Sequence, residues 1–154
     1  MKRVPDLLRA LLLSPELLCA VLPFVVLHYV PSIGDVLLKP MRESISFGLA
    51  AAALPLGMLA FNYKESLELL SPDGQAKVLL EWPDYPMLKN RVLIALGWCT
   101  AGLVACGLSV WMIASDFRLD MAIALLSAGV LSSGAATATI GMARFRLREL
   151  LAHP

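Results

Sequence analysis

Four groups of side chains in this sequence have the type and setting to do chemistry. The first is His28, the one ionisable side chain inside the apolar stretch LLCAVLPFVVLHYVPSIG at residues 17–34. An ionisable group within a membrane is a functional hypothesis by default, and imidazole titrates near neutrality, which would suit a proton-sensitive gate. The simpler reading places His28 and Tyr29 near the outer end of a helix, in reach of headgroups and water. The second group is Cys19, Cys99 and Cys106, which are spaced neither for zinc nor as a redox pair. They are expected to pack as small hydrophobes.

The third group is the run of small and hydroxyl-bearing residues from Ser127 to Gly141, with Ser132, Ser133, Gly134, Thr137 and Thr139 at its centre. In lipid, small residues let helix backbones approach and hydroxyls hydrogen-bond across the contact. Either these residues pack one helix inside a four-helix bundle, or they mediate subunit contact and line a narrow pore. A pore would need an oligomer, because four helices have too little girth to enclose one. A bulky residue at Ser133 or Gly134 is expected to force backbones apart. The fourth group is the tail arginines, Arg144, Arg146 and Arg148. They could anchor on anionic lipid, pair with Glu65, Glu68, Glu81 or Asp84, or dock a cytoplasmic protein together with Trp82 and Tyr85. No glycine-rich phosphate loop, His-Glu-x-x-His helix or nucleophile elbow is present. No enzyme, cofactor or metal is therefore expected. A net charge of +1 makes no case for nucleic acid.

The elements that must carry these groups follow from where charge is missing. Of 154 residues, 58% are hydrophobic and 16% charged, against roughly 45–50% and about 25% in soluble domains. Residues 45–63, 92–115 and 121–143 hold no Asp, Glu, Lys or Arg over 19, 24 and 23 positions, and about 20 apolar residues cross a bilayer as a helix. With residues 17–34, kinked at Pro23, these predict an all-α integral membrane four-helix bundle in a single domain, and the protein's partners begin with the lipid bilayer. Ser14-Pro15-Glu16 reads as the first helix start. A leucine-rich stretch from Asp6 to Leu13 is placed in the interface, and residues 31–44 form a short link. Residues 64–91 form a loop with short amphipathic cytoplasmic helices around a Ser71-Pro72-Asp73-Gly74 turn, followed by a rigid turn at 82–86. Asp116–Asp120 is a tight hairpin, and residues 144–154 are a basic tail ending in a solvated His153. Signal-peptide cleavage is not expected: Leu18 stands where a lipoprotein box needs a small residue, and Arg9 and Glu16 interrupt the apolar run.

The first span, with Leu22-Pro23-Phe24 and then His28-Tyr29-Val30-Pro31 leading outward, is followed by a basic middle and two closing spans. In this the chain resembles the small four-span, RexB-like phage-exclusion membrane proteins. The resemblance implies an effector that depolarises the bacterial inner membrane during infection. The charged segment at 64–91 departs from that pattern, and no site residue carries over. The reading is thus an oligomeric, pore-forming or gating membrane effector, with a non-conducting anchor that recruits a cytoplasmic protein as the alternative.

Orientation follows from the Lys and Arg count. Ten of the thirteen lie in the N-terminal segment, the middle loop and the tail; Lys39, Arg42 and Arg118 lie in the other two links. The positive-inside rule puts both ends in the cytoplasm. Reporter fusions after Asp73 and His153 should therefore read cytoplasmic, and fusions at Asp35 and Asp116 external. An external reading at Asp73 inverts the topology.

Overall fold

The computed structural model describes residues 14–43, 45–70 and 85–152, all of them helical apart from short connections. Five helices follow in order: α1 (Pro15–Tyr29), α2 (Pro31–Glu43), α3 (Ile45–Leu70), α4 (Tyr85–Ala114) and α5 (Leu119–Ala152). Two are long and apolar enough to cross a membrane, α4 over 30 residues and the Leu119–Leu147 part of α5 over 29. The pair Pro15–Tyr29 and Pro31–Met41 passes the same test only jointly, with a bend of 106° between them.

That bend corrects the expectation of one span over residues 17–34 kinked at Pro23. Helix α1 runs on through Pro23 and stops at Val30, whose φ of −132° and ψ of 73° are not helical. The cause is Pro31, because the residue before a proline is pushed out of the α region. Pro31 then begins a new helix, a position where its missing N–H costs nothing. The expected link at 31–44 is therefore mostly helix α2, which over residues 31–41 is buried at Gly34 and Met41, half-buried at Leu38 and Pro40 and otherwise exposed. The loop expected at 64–91 is also shorter. Residues 64–70 continue α3 and residues 85–91 open α4, so no separate short helices lie in those two stretches. Trp82, the Ser71–Gly74 turn, the leucine-rich stretch at 6–13 and His153 lie outside the described residues.

The start of α1 is capped as its sequence implies, with Ser14 Oγ accepting from Leu17 N at 3.2 Å. The α4–α5 hairpin is closed by paired backbone bonds. Phe117 N donates to Met112 O at 2.9 Å and Asp116 N to Ile113 O at 3.2 Å, the pattern that satisfies the last carbonyls of a helix through a left-handed residue. Asp116 takes that role with φ 52°, and Arg118, at φ 43°, caps α5 by accepting at its carbonyl from Met121 N and Ala122 N, both at 3.0 Å.

Helix α5 packs against each of the other four helices, most extensively against α4. The α4–α5 seam repeats every seven residues, with buried positions three and four apart as in a coiled coil. On α4 they are Val92, Ala95, Cys99, Gly102, Cys106 and Ser109, and on α5 Ala122, Leu126, Gly129, Ser133, Ala136 and Ile140. Ser109 Oγ donates to Ala122 O at 2.6 Å, Cys106 Sγ to Leu126 O at 3.6 Å, and Cys99 Sγ to Ser133 O at 3.8 Å. Between these rungs Gly102 meets Gly129, and a Cβ at Gly102 would lie 2.6 Å from Gly129 O, while one at Gly129 would lie 2.5 Å from both Gly102 O and Cys106 Sγ. The two backbones touch there. Toward one end Leu69 of α3 completes a cluster with Val92, Ala95, Cys99, Ala136, Ile140 and Leu147. Toward the other, Met41 of α2 packs on Cys106 and Leu126.

The close approach is thus at Gly129 and not at Gly134, where a Cβ would meet nothing within 4 Å; the same holds at Gly141. Gly129→Val should destabilise the fold by ~1–3 kcal/mol or more, since added bulk here meets backbone. Gly134→Ala should be neutral or stabilising by up to about 1 kcal/mol. Unfolding in mixed micelles checks both, and equal tolerance would contradict the seam.

Candidate functional site

The start of α1, the end of α3, the start of α4 and the end of α5 meet at one end of the molecule, here called the basic end. Four polar contacts hold them. Glu16, in the first turn of α1, is 1% exposed and its Oε1 accepts from Thr139 Oγ1 of α5 at 2.6 Å. Thr139 Oγ1 also lies 3.0 Å from Ala135 O, so its single proton chooses between a carboxylate and a carbonyl. Thr139 sits one turn inside the charge-free run that ends at Ala143, about 6 Å along the helix. The acid is therefore drawn into the apolar layer and does not flank it.

The second contact is Asn62 of α3, fully buried. Its Nδ2 donates to Cys99 Sγ and to Thr137 Oγ1, both at 2.9 Å. Thr137 Oγ1 donates in turn to Ser133 O at 2.9 Å. Three helices are joined through one carboxamide, whose partner Cys99 lies seven residues past Val92, or about 10 Å beyond the α4 charge boundary. The third contact is an ion pair at the surface. Arg144 bonds Glu65 through Nη1 and Glu68 through Nη2, the latter at 2.7 Å. Tyr85, half-buried at the first position of α4, donates its hydroxyl to Leu70 O at 3.3 Å and ties the two ends flanking residues 71–84 together.

The hydroxyls predicted as a site divide accordingly. Ser132, Ser133 and Thr139 are buried; Ser132 Oγ donates to Gly129 O of its own helix at 3.2 Å. Thr137 is half-buried and bonded to Asn62. Gly134 is half-buried and Gly141 exposed. His28 is exposed in the last turn of α1 and packs edge-on to Tyr29, ring centroids 5.3 Å apart. Arg146 is exposed, and Arg148 lies on α5 with its side chain outside the described part. Among the described residues the buried carboxyl side chains are those of Glu16 and Glu65, whereas His28 is exposed. Sequence reasoning took Glu16 for a flank and passed over Asn62. An Asn inside the charge-free run 45–63 was the signal available for the latter.

Asn62 Oδ1, Ser66 Oγ, Trp98 Nε1 and Ser133 Oγ are buried with no hydrogen-bond partner. Three of them cluster along the Asn62–Cys99–Ser133 contact or one turn from it, and polar groups so placed favour water between them. Among the described residues no group of three His, Cys, Asp or Glu could hold a metal ion. Neither a protein-family model, a curated protein nor a solved structure matches the chain.

Thr139→Val keeps the shape and removes the hydroxyl facing Glu16. It should cost about 0.6–2 kcal/mol, the range between interhelical bonds in membranes and an orphaned buried group. Thr100→Val should cost little, because Thr100 is exposed and bonds only Leu96 O of its own helix. Thermal unfolding in detergent compares the two; equal losses would mean the Glu16 contact adds nothing.

Proposed function

We propose that this chain is a multi-pass subunit of a bacterial inner membrane, crossing four times with both ends in the cytoplasm, and that it acts as a non-conducting anchor for a cytoplasmic protein at its basic end. One observation carries this choice over a pore. Of the hydroxyls from Ser132 to Thr139, those of Ser132, Thr137 and Thr139 are occupied inside the single chain, by Glu16, Asn62 or α5 carbonyls, and that of Ser133 is buried within it. A pore lined by α5 in a homo-oligomer needs those hydroxyls on an outward face. The docking face on this reading is the surface around the Arg144 clamp, with Tyr85 and Arg146 as its contact residues; Trp82 and the Arg148 side chain, expected to join them from the sequence, lie outside the described residues.

A second reading is favoured by the orphaned buried atoms at Asn62, Ser66, Trp98 and Ser133. Wetted, they would begin a polar path through an oligomer, and the resemblance to phage-exclusion proteins attaches depolarisation and antiviral defence to that path. Purified protein in sealed vesicles distinguishes the two. The anchor predicts that vesicles hold a potassium diffusion potential as long as empty ones do, and that the protein is monomeric in mild detergent. An oligomer whose leak is abolished in Ser133→Val/Thr137→Val would replace the anchor by the pore.

A further inference from the structure

At the basic end a groove of about 440 Å³ opens between the start of α1, the first turns of α4 and the last turns of α5. Arg91 and Arg146 line it from facing helices, over walls of Met87, Leu88, Met142 and Ala143. We infer that this groove binds one anionic phospholipid, its phosphate between the two guanidinium groups and an acyl chain along Met142 and Ala143. This rests on the reading that α4 and α5 cross a bilayer.

Three observations point to that occupant. First, the two arginines are uncompensated: unlike Arg144, which holds Glu65 and Glu68, neither forms an ion pair among the described residues. Glu149, exposed one turn beyond Arg146, makes none with it. Glu16, beside the lining residue Pro15 and bonded to the lining residue Thr139, is buried and pairs with neither arginine. Guanidinium forks match phosphate geometry in pairs. Second, the groove sits at the right depth. Arg91 is the last charged residue before the charge-free run of α4, and Arg146 lies three residues past the end of the run of α5. The charged mouth is therefore level with headgroups; Met142 and Ala143 lie on its membrane side, and Met87 and Leu88, which precede Arg91, on its outer side. Third, the walls are soft. Met142, on the membrane side of Arg146, is 64% exposed, and thioether side chains adapt to a flexible chain. Basic pockets between membrane helices are a known form of headgroup site.

The test uses the full chain in detergent, with phosphatidylglycerol, phosphatidylcholine and inorganic phosphate as probes, and reads bound lipid by native mass spectrometry and thermal stability by titration. One retained phosphatidylglycerol is expected, with stabilisation by that lipid and not by phosphatidylcholine or inorganic phosphate. Arg91→Gln/Arg146→Gln should weaken the apparent affinity about tenfold or more, for two lost charges at the surface. Met142→Trp, which fills the groove at an exposed position, should also displace the lipid while keeping both charges. Lys89→Gln, an exposed neighbour that does not line the groove, should change affinity less than twofold. Unchanged lipid retention in the double variant, an equal loss in Lys89→Gln, or equal stabilisation by inorganic phosphate overturns the proposal. Release of the protein from membranes by alkaline carbonate would instead overturn the bilayer reading beneath it.

Discussion

Everything in this molecule is hung on the contact between Gly102 and Gly129. Apolar surface gives helices in lipid no drive to associate, so α4 and α5 must be held by backbone proximity and by donors aimed at carbonyls. The seam supplies both in one register. A hydroxyl and two thiols face carbonyls of α5 at successive rungs, and the paired glycines allow the approach that brings them within range. Separation at the glycines would lengthen all three bonds at once. Because the seam occupies only one side of α5, its other sides stay open to α1 and α3, which explains why the last helix is the most contacted.

The remaining helices attach by a different means. Helix α3 reaches the hairpin through a buried carboxamide and, at the basic end, through Arg144 clasping two carboxylates from successive turns. The two contacts are sheltered unequally: Glu68 is about half exposed, so its share of the clasp is screened and worth little, whereas Glu65 and Asn62 are buried. Helix α1 attaches by Glu16 alone among its charged groups. Polar bonds placed in an apolar layer cost much when broken, which makes these two residues determinants of which faces meet.

Parts of this were legible in the sequence and parts were not. The charge-free runs revealed the helical class and the two long apolar helices, and Ser14-Pro15-Glu16 revealed the first cap, because each signal is local. The small-residue content of α5 was visible, but the position of closest approach was not: Gly129 and Gly134 look alike in composition, and only the three-and-four spacing matched against Gly102 and Cys106 tells them apart. The break at Val30 was available from the proline rule, yet Pro23 drew attention because it lies in the middle of the run. Glu16 failed for the opposite reason. Its position at a helix start explains it adequately without reference to Thr139, which lies 123 residues away.

The break at Val30 also bears on the lipid around the protein. Helix α1 has 15 residues, or about 22 Å of rise, against a hydrocarbon layer of ~30 Å, while α4 with 30 residues exceeds it. The chain then presents a short wall on one flank and a tall one on the other. If α1 crosses as proposed, a bilayer meeting both would thin beside it, with amphipathic α2 lying across the dimple as its rim. Such hydrophobic mismatch costs fractions of a kcal/mol per ångström, enough to favour thin membranes and to draw two short flanks toward each other across the deformed lipid.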